Sequence, residues 1–252
     1  SLIGAGFPMV RIWEGLDQEE ILFHWLPEWR SVRSLPQRNV LHRHTVDRHM
    51  VETAVFAAAL TRSVHRPDLL LFAALFHDLG KGTQEDHSER GEKLIEPLAR
   101  RIGFSESDIA TLKLLVKYHL LLSATATRRD LDDPATIASV VAVIPDLQTL
   151  ELLHALSIAD GQATGHAAWS DWKASLLSDL VARVTSALAD NTVATQPEFT
   201  DEQRAFARTG KLRVRIEERI PDFAVEIIAP DKPGLLSVVA GVLNLARFDV
   251  RS

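Results

Sequence analysis

The chain of 252 residues contains no cysteine, which excludes disulfide bonds and metal sites built on thiolates. No apolar run in the sequence approaches the length of a membrane span, and the first residues lack the basic and apolar regions of a signal peptide. The formal net charge of -6 argues against a general nucleic-acid binder. We therefore expect a cytoplasmic protein without a nucleic-acid or membrane partner.

What is present is the composition of an ordinary globular protein, with 46% hydrophobic and 25% charged residues. Apolar residues recur with a helical period up to residue 190, which predicts an all-helical first part. Alternating apolar and charged residues near the end then predict strands, a turn and a helix. The expected fold is mainly α, with a helical lead-in at 1–38, a helical-bundle domain at 39–190, a linker at 191–211 and a truncated α+β unit at 212–252.

The most informative stretch of the sequence is Leu69 to Gly82, in which an apolar run is followed by polar residues and glycines. It predicts a buried helix that ends in the pair His77-Asp78, followed by glycines that let the backbone turn. Burying a charged carboxylate beside an imidazole costs free energy unless something compensates it. A metal ion compensates it well, because both groups are good ligands. The alternative is a helix C-terminus with a solvated Asp78 and a His77 favoured by the helix dipole.

Histidine and aspartate residues on other predicted helices favour the metal interpretation. Helical bundles commonly build metal sites from side chains that project inward from facing helices. Together with the central pair, the candidate positions are His49, His77, Asp78, His87, His119 and Asp160. The other histidines are interpreted as core, turn or surface residues, and they are His24, His42, His44, His65, His154 and His166.

This set resembles the HD-domain superfamily of metal-dependent phosphohydrolases. The matching positions are His49, His77, Asp78 and Asp160. The letters HDLGK at residues 77–81 are a common form of the superfamily's core motif. The resemblance implies a divalent metal on those four residues and a second metal on His87 and His119, with Asp86 orienting His87 from outside the ligand set. Manganese is expected, zinc, iron or magnesium are alternatives, and the count stays open at one or two ions.

Longer segments resemble the uridylyl-removing region of the bifunctional enzymes that modify the nitrogen-regulatory PII protein. They are LHRHTVDRHMVETA, LFHDLGKG, EDHSERG, VKYHLLLSATATRRDLDDP and SIADGQATGHAAWSDWKASLL. The last segment, DKPGLLSVVAGVLNLARFDVRS, resembles the first half of an ACT domain, which in those enzymes is associated with glutamine sensing. Their nucleotidyltransferase domain has a Gly-Ser pair that is missing here, so we expect a fragment without nucleotidyltransferase activity.

The resemblance implies hydrolysis of a phosphodiester between UMP or AMP and a PII tyrosine, with glutamine as effector of the full-length enzymes. Asp78 is the expected catalytic carboxylate, and Lys81 is expected to neutralise charge on the phosphoryl oxygens. Arg128 and Arg129 are candidates for binding the phosphate, and a surface role fits them equally well.

Two other functions stay open at this point. One is an HD phosphohydrolase that acts on a free nucleotide, such as a dNTP, an alarmone or a cyclic dinucleotide. The other is a non-catalytic regulatory module with a degenerate metal site. The intact set of candidate ligands argues against the second alternative.

Overall fold

The computed structural model describes residues 2–37, 43–165, 168–190, 200–219, 222–230 and 235–246. The chain divides into two compact units, Ser1–Ala194 and Thr195–Ser252. The described part of the first unit is helical, and the second unit combines helices with a two-stranded sheet. The prediction of a mainly helical bundle followed by a small α+β unit is therefore confirmed.

The described residues of the first unit form ten α-helices, with short 3₁₀ helices at Ile3–Ala5 and Pro27–Ser31. None of these residues forms a strand, as the apolar periodicity predicts. The α-helices are α1 (Pro8–Gln18), α2 (Leu22–Trp25), α3 (Val46–Ala59), α4 (Pro67–Phe76), α5 (His87–Ile102), α6 (Glu106–Lys117), α7 (Leu121–Arg128), α8 (Pro134–Val141), α9 (Leu147–Thr164) and α10 (Asp171–Asp190).

Helix α4 lies at the centre of the first unit, because every residue from Leu69 to Phe76 is buried. Pro67 stands in its first turn, where the missing N–H group costs no helical hydrogen bond. Helices α3, α6 and α9 pack against it. The helix ends at Phe76, so His77 and Asp78 lie in the turn that follows it rather than inside the predicted helix.

The N-terminal lead-in packs on α4 through a chain of aromatic rings. The ring of Trp29 lies edge to face with Trp13 at 5.2 Å between centroids, and with Phe76 at 6.3 Å. Trp29 is 1% exposed, so these contacts are internal to the core. The lead-in therefore belongs to the first unit.

The stretch Glu106–Arg128 is long and apolar enough to span a membrane, contrary to our expectation from the sequence. In the fold it forms two helices, α6 and α7, which are separated by a turn at residues 118–120. Its buried residues belong to the hydrophobic core of the first unit, and they include Ile109, Leu112, Leu115, Val116 and Leu122. Packing of the core therefore accounts for its apolar composition.

The second unit contains an antiparallel hairpin of β1 (Arg213–Arg219) and β2 (Asp222–Ile228). In its register Val214 pairs with Ile227, and Ile216 pairs with Val225, so apolar side chains share one face. Helix α12 (Leu235–Leu245) follows the hairpin. The two predicted strands and the helix are thus present, while the strand predicted at 248–251 lies outside the described residues.

The segment predicted as a linker contains a helix, α11 (Asp201–Ala207). It begins with a capping box, in which the side chains of Thr200 and Gln203 each bond to the other residue's backbone N–H group. The side chain of Gln203 also donates to Oε2 of Glu226 on β2 at 2.7 Å. The polar composition of this segment therefore reflects a surface helix of the second unit.

Candidate metal centre

Two buried histidines are held in fixed orientations by backbone carbonyl groups. Nδ1 of His77 donates to the carbonyl oxygen of Ala74 at 2.9 Å, and Nδ1 of His119 donates to that of Val116 at 2.7 Å. A carbonyl oxygen only accepts, so each bond places the hydrogen of the neutral ring on Nδ1. In the neutral form, Nε2 of both rings therefore keeps its lone pair available for a metal.

A close contact between the turn after α4 and the start of α5 brings His87 to the centre. A Cβ atom at Gly80 would lie 2.0 Å from the carbonyl oxygen of His87 and 2.6 Å from the nitrogen of Gly91. A Cβ atom at Gly91 would in turn lie 2.8 Å from Cγ1 of Val116. Glycine at both positions therefore allows the turn, α5 and α6 to approach one another.

Asp86 fixes the start of α5 as its N-cap residue. Its Oδ1 atom accepts hydrogen bonds from the backbone of Ser88 at 2.9 Å and of Glu89 at 3.1 Å. The bond from the backbone of Glu89 is the main cause that holds the pKa of Asp86 below its usual value. Its described hydrogen bonds thus go to the backbone rather than to the imidazole of His87, so Asp86 positions His87 through the first turn.

One group of possible ligands consists of His49, His77 and Asp160, whose donor atoms lie within 4.8 Å of one another. Oδ1 of Asp160 lies 2.9 Å from Nε2 of His49 and 3.6 Å from Nε2 of His77. Helix α3 carries His49 and helix α9 carries Asp160, and these helices pack against each other. The bundle therefore joins residues that are far apart in sequence.

A second group consists of Asp78, His87 and His119, again with donor atoms within 4.8 Å. Oδ1 of Asp78 lies 3.8 Å from Nε2 of His87 and 3.6 Å from Nε2 of His119. His119 was predicted inside a helix, but it lies in the turn between α6 and α7. That turn follows the buried end of α6, which brings the imidazole to the second group.

The carboxylate of Asp78 faces both groups. While Oδ1 belongs to the second group, Oδ2 lies 3.5 Å from Nε2 of His77 and 3.7 Å from Nε2 of His49. The side chain is 3% exposed, so water screens these contacts very little. The six residues singled out from the sequence therefore meet in two groups around one carboxylate.

Burial and neighbouring charges shift the pKa values of His77, His119 and Asp160. Burial lowers the pKa of His119 to about 4, helped by the charge of His77. Burial also disfavours the charged form of His77, but Asp78 and Asp160 outweigh it and raise the pKa of His77 to about 10. Burial raises the pKa of Asp160, but His49 and His77 outweigh it and hold that pKa well below its usual range. Without a metal, the centre is therefore an ion pair of carboxylates with a protonated His77.

The donor set fits a divalent metal. Imidazole nitrogens and ionised carboxylates suit manganese, zinc and iron, and carboxylates also suit magnesium. Among the described residues, Nε2 of His77 and Oδ1 of Asp78 are buried without a hydrogen-bond partner. Such atoms are costly to bury unless something else satisfies them, and a metal would do so. The centre is therefore a possible His/Asp metal site.

Lys81 extends the centre towards solvent. Its Nζ atom lies 2.6 Å from Oδ2 of Asp78 and donates a hydrogen bond to Oε1 of Gln37 at 2.7 Å. The charges of His77 and Lys81 outweigh the effect of burial and hold the pKa of Asp78 well below its usual value. Lys81 therefore lies beside the predicted catalytic carboxylate.

An open cleft of about 840 Å³ leads to the centre. Its walls include Asp78, Lys81, His87, His119 and Asp160. Arg128 also lines the cleft, whereas Arg129 is not among the described residues that line it. Three polar residues of the wall carried no signal in the sequence, and they are Gln37, Thr83 and Gln84.

The histidines interpreted as non-ligands lie outside both ligand groups wherever the structure describes them. His65 pairs with Glu151 at 3.2 Å, and Nδ1 of His24 lies 3.3 Å from the carbonyl oxygen of Glu20. Burial lowers the pKa of both His44 and His154. The remaining two, His42 and His166, lie outside the described residues.

The family whose model matches this chain is described as HD domain, and the match covers residues 46–160. This range starts with α3, ends at Asp160 and includes both ligand groups.

Relatives named bifunctional uridylyltransferase/uridylyl-removing enzyme match along the chain. One from Streptomyces coelicolor is 46% identical over 297 aligned residues and covers 100% of this chain. One from Mycobacterium tuberculosis (strain CDC 1551 / Oshkosh) is 46% identical over 253 residues, again with 100% of this chain covered. One from Gluconobacter oxydans is 34% identical over 82% of this chain.

The chain spans about a third of the length of the first two relatives, 35% and 31% respectively, and 24% of the third. The aligned part contains the HD domain with its two ligand groups. On the family match, the identity to these relatives and the geometry of the centre, residues 46–160 of the chain are an HD domain of the metal-dependent hydrolase type.

Proposed function

We propose that the chain hydrolyses the phosphodiester that links a nucleoside 5′-monophosphate, UMP or AMP, to a tyrosine of the nitrogen-regulatory PII protein. The observation that carries this proposal is the carboxylate of Asp78, which faces two ligand groups at the end of an open cleft. The relatives named as uridylyl-removing enzymes support the choice of substrate. Because the chain spans only part of those relatives, PII as partner is a proposal for this chain.

The metal ligands in this proposal are the two groups described above. His49, His77 and Asp160 would hold one ion, and Asp78, His87 and His119 would hold another. A divalent metal, most suitably manganese, acidifies water and offsets negative charge on phosphoryl oxygens. Residues outside the ligand set supply the remaining chemistry.

Cationic side chains in the cleft would bind and orient the phosphoryl group. Lys81 is held in place by Asp78 and Gln37, so its ammonium group is preorganised to offset charge that develops on the phosphoryl oxygens. Arg128 lines the same cleft and would contact a phosphate oxygen. Arg129 lies beside it in sequence, and its proposed part is long-range attraction of the anionic substrate.

The proposed reaction forms a bond between a water oxygen and phosphorus and breaks the bond from phosphorus to the tyrosyl oxygen. The products are a nucleoside monophosphate and an unmodified tyrosine, which recovers a proton from solvent. A phenol has a pKa near 10, so this leaving group needs less proton assistance than an aliphatic alcohol. The absence of a dedicated acid among the proposed residues is therefore compatible with the chemistry.

Control by glutamine is proposed for the full-length enzymes only. The second unit, with its hairpin and α12, would form part of the ACT domain that senses it. This assignment rests on the sequence resemblance of residues 231–252, of which the structure describes 235–246.

Intact-mass spectrometry tests the proposed function. Nucleotidylated PII is incubated with the chain and Mn²⁺, and in parallel with the chain and a chelator. We expect PII to lose the mass of one nucleotidyl group only in the sample with Mn²⁺. An unchanged PII mass, together with hydrolysis of a dNTP, an alarmone or a cyclic dinucleotide by the same preparation, would contradict the proposal and favour a free-nucleotide hydrolase.

A further inference from the structure

We propose that a second, smaller cavity beside the metal centre binds the nucleoside of the substrate, with the indole of Trp169 stacked on the base. This inference rests on the proposed function and adds to it the direction in which the substrate lies. The cavity measures about 260 Å³, and we call it the side cavity. Its polar and aromatic wall residues are Ser123, Thr127, Arg128, Asp160, Trp169 and Lys173.

The side cavity adjoins the cleft. Three residues line both, and they are Leu120, Arg128 and Asp160. Asp160 belongs to the first ligand group, so one wall of the side cavity is the metal centre itself. The side cavity therefore lies next to the position that a phosphoryl group would take at the centre.

The position of Trp169 depends on a glycine next to Asp160. A Cβ atom at Gly161 would lie 2.3 Å from Cε3 of Trp169 and 3.0 Å from its Cζ3. The indole ring thus packs directly against the backbone of α9 at the residue that follows a candidate ligand. No other residue type at 161 leaves room for the ring where it lies, so the helix and the indole are matched to each other.

The chemistry of the side-cavity wall suits a nucleoside monophosphate. An aromatic ring offers a surface on which any base can stack. The ammonium group of Lys173 donates one hydrogen bond to the carbonyl oxygen of Ala168 at 2.8 Å, which leaves two of its three hydrogens for other acceptors. Ser123 and Thr127 add hydroxyl groups, which both donate and accept hydrogen bonds.

The charge and volume of the two cavities indicate where the nucleoside and the tyrosyl group of the substrate lie. Apart from Asp160, the charged residues of the side-cavity wall are the cations Arg128 and Lys173, which favours an anionic nucleotide. The cleft, which Gln37 and Gln84 also line, has a volume of about 840 Å³ against about 260 Å³ for the side cavity, and this larger space suits a tyrosine that is attached to a protein. The nucleoside therefore lies in the side cavity and the tyrosyl group lies in the open cleft.

Two chromogenic substrates with the same leaving group test this orientation. Uridine 5′-(4-nitrophenyl phosphate) carries a nucleoside, whereas methyl 4-nitrophenyl phosphate has a methyl group in its place. We expect Trp169→Ala to lower kcat/KM for the uridine ester by about 5- to 150-fold, the range given by stacking of a base on an aromatic ring. For the methyl ester, kcat/KM should stay within about twofold of that of the unmodified chain.

Variants of neighbouring residues control this comparison. Trp172 lies in the first turn of α10 and is 59% exposed, so Trp172→Ala should leave both rates unchanged. Trp169→Phe should restore most of the activity on the uridine ester, because it keeps an aromatic ring. Gly161→Ala should resemble Trp169→Ala, because its methyl group displaces the indole.

A loss of equal size on both esters would overturn the inference, since Trp169 would then act on the reacting centre or on the fold. An unchanged rate on the uridine ester would overturn it as well.

Isothermal titration with UMP and with AMP gives a reading that does not depend on turnover. We expect Trp169→Ala to weaken binding of both nucleotides and Trp172→Ala to leave their binding unchanged. If the unmodified chain binds neither UMP nor AMP, the proposal that the side cavity binds the nucleoside is contradicted.

The same experiments separate this inference from the proposed function. If nucleotidylated PII is not hydrolysed but UMP binds in a Trp169-dependent manner, the proposed function fails and the nucleotide site stands. If PII is hydrolysed and Trp169→Ala has no effect on it, the proposed function stands and the side cavity is not the nucleoside site.

Discussion

Nζ of Lys81 lies 2.6 Å from Oδ2 of Asp78, the carboxylate oxygen that also faces His49 and His77. The lysine is thus held at the border between the buried ligands and the open cleft, and its hydrogen bond to Gln37 fixes the other side of the ammonium group. In the proposed function a cation in this position serves the phosphoryl group rather than the fold, because a metal held by the two ligand groups would compensate the buried carboxylate.

Replacing Lys81 should therefore reduce turnover while the metal is retained. For Lys81→Met we expect kcat to fall about 100-fold or more, the size of effect seen when a preorganised charge donor is removed. Metal content, measured by mass spectrometry of the elements, should stay at the level of the unmodified chain. Lys113→Met is the matched control, since Lys113 forms a surface ion pair with Glu96 at 2.6 Å. Equal activity of both variants would contradict the proposed part of Lys81.

The two ligand groups should be separable by mutation. His87 belongs to the second group only and is the most exposed of its three members, with 28% of its side chain accessible. We expect His87→Ala to stay folded and to lower the metal content from about two ions per chain to about one. His24→Ala replaces an exposed histidine outside both groups and should bind as much metal as the unmodified chain. A stoichiometry that His87→Ala leaves unaltered would show that the second group holds no metal.

Metal binding should release a proton between pH 7 and 9. The pKa of His77 is raised to about 10 in the metal-free chain, so its imidazole is protonated in this range and must lose that proton to become a ligand. The pKa of His119 is lowered to about 4, so this residue is already neutral and releases none. The apparent affinity for Mn²⁺ should consequently rise about tenfold per pH unit from pH 7 to 9.

Calorimetry of Mn²⁺ binding in buffers of different ionisation enthalpy counts the released protons directly. His77→Gln removes the titrating imidazole and should reduce the count by about one. An affinity for Mn²⁺ that is independent of pH across this range would contradict a protonated His77 in the metal-free centre.

Gly80 should tolerate no larger residue. A methyl group there would meet the carbonyl oxygen of His87 at 2.0 Å and force the turn away from α5. We expect Gly80→Ala to lower the free energy of unfolding by about 1–3 kcal/mol and to weaken metal binding. In Gly15→Ala the new methyl group has nothing within 4 Å and lies in a helix, so this control should gain about 0.5–1 kcal/mol. Urea unfolding followed by circular dichroism distinguishes the two, and a stable Gly80→Ala with full metal affinity would contradict the close approach.

The sequence singled out six candidate ligands that the fold brings together in two groups, because they stand on or beside strongly periodic apolar helices. His77 and Asp78 follow α4, and Asp160 follows a buried stretch of α9. The sequence did not predict that His119 lies in a turn, because an apolar pattern does not reveal where one helix ends and the next begins. The turn at 118–120 separates α6 from α7. That turn is a consequence of tertiary packing.

Other contacts of the site could not be predicted from the sequence around the residues that make them. Gln37 lies in the lead-in, far from Lys81 in sequence, and only the packing of the bundle brings them together. The contact of Trp169 with Gly161 is also tertiary, although a glycine within a helical pattern is itself a sign of close approach. The helix α11 did have a signal, because Thr200 and Gln203 have the spacing of a capping box, and the polar composition of the segment obscured it.

We propose that the carboxylate of Asp78 organises a metal-dependent hydrolase centre. The most direct test compares Asp78→Ala with the unmodified chain on nucleotidylated PII in the presence of Mn²⁺, with metal content measured on the same samples. Asp179→Ala is the control, because Asp179 pairs with Arg183 on the surface of α10. We predict that Asp78→Ala binds less metal and releases no nucleotide above the metal-free background, while Asp179→Ala releases it at the unmodified rate. Release by Asp78→Ala at the unmodified rate would contradict the account.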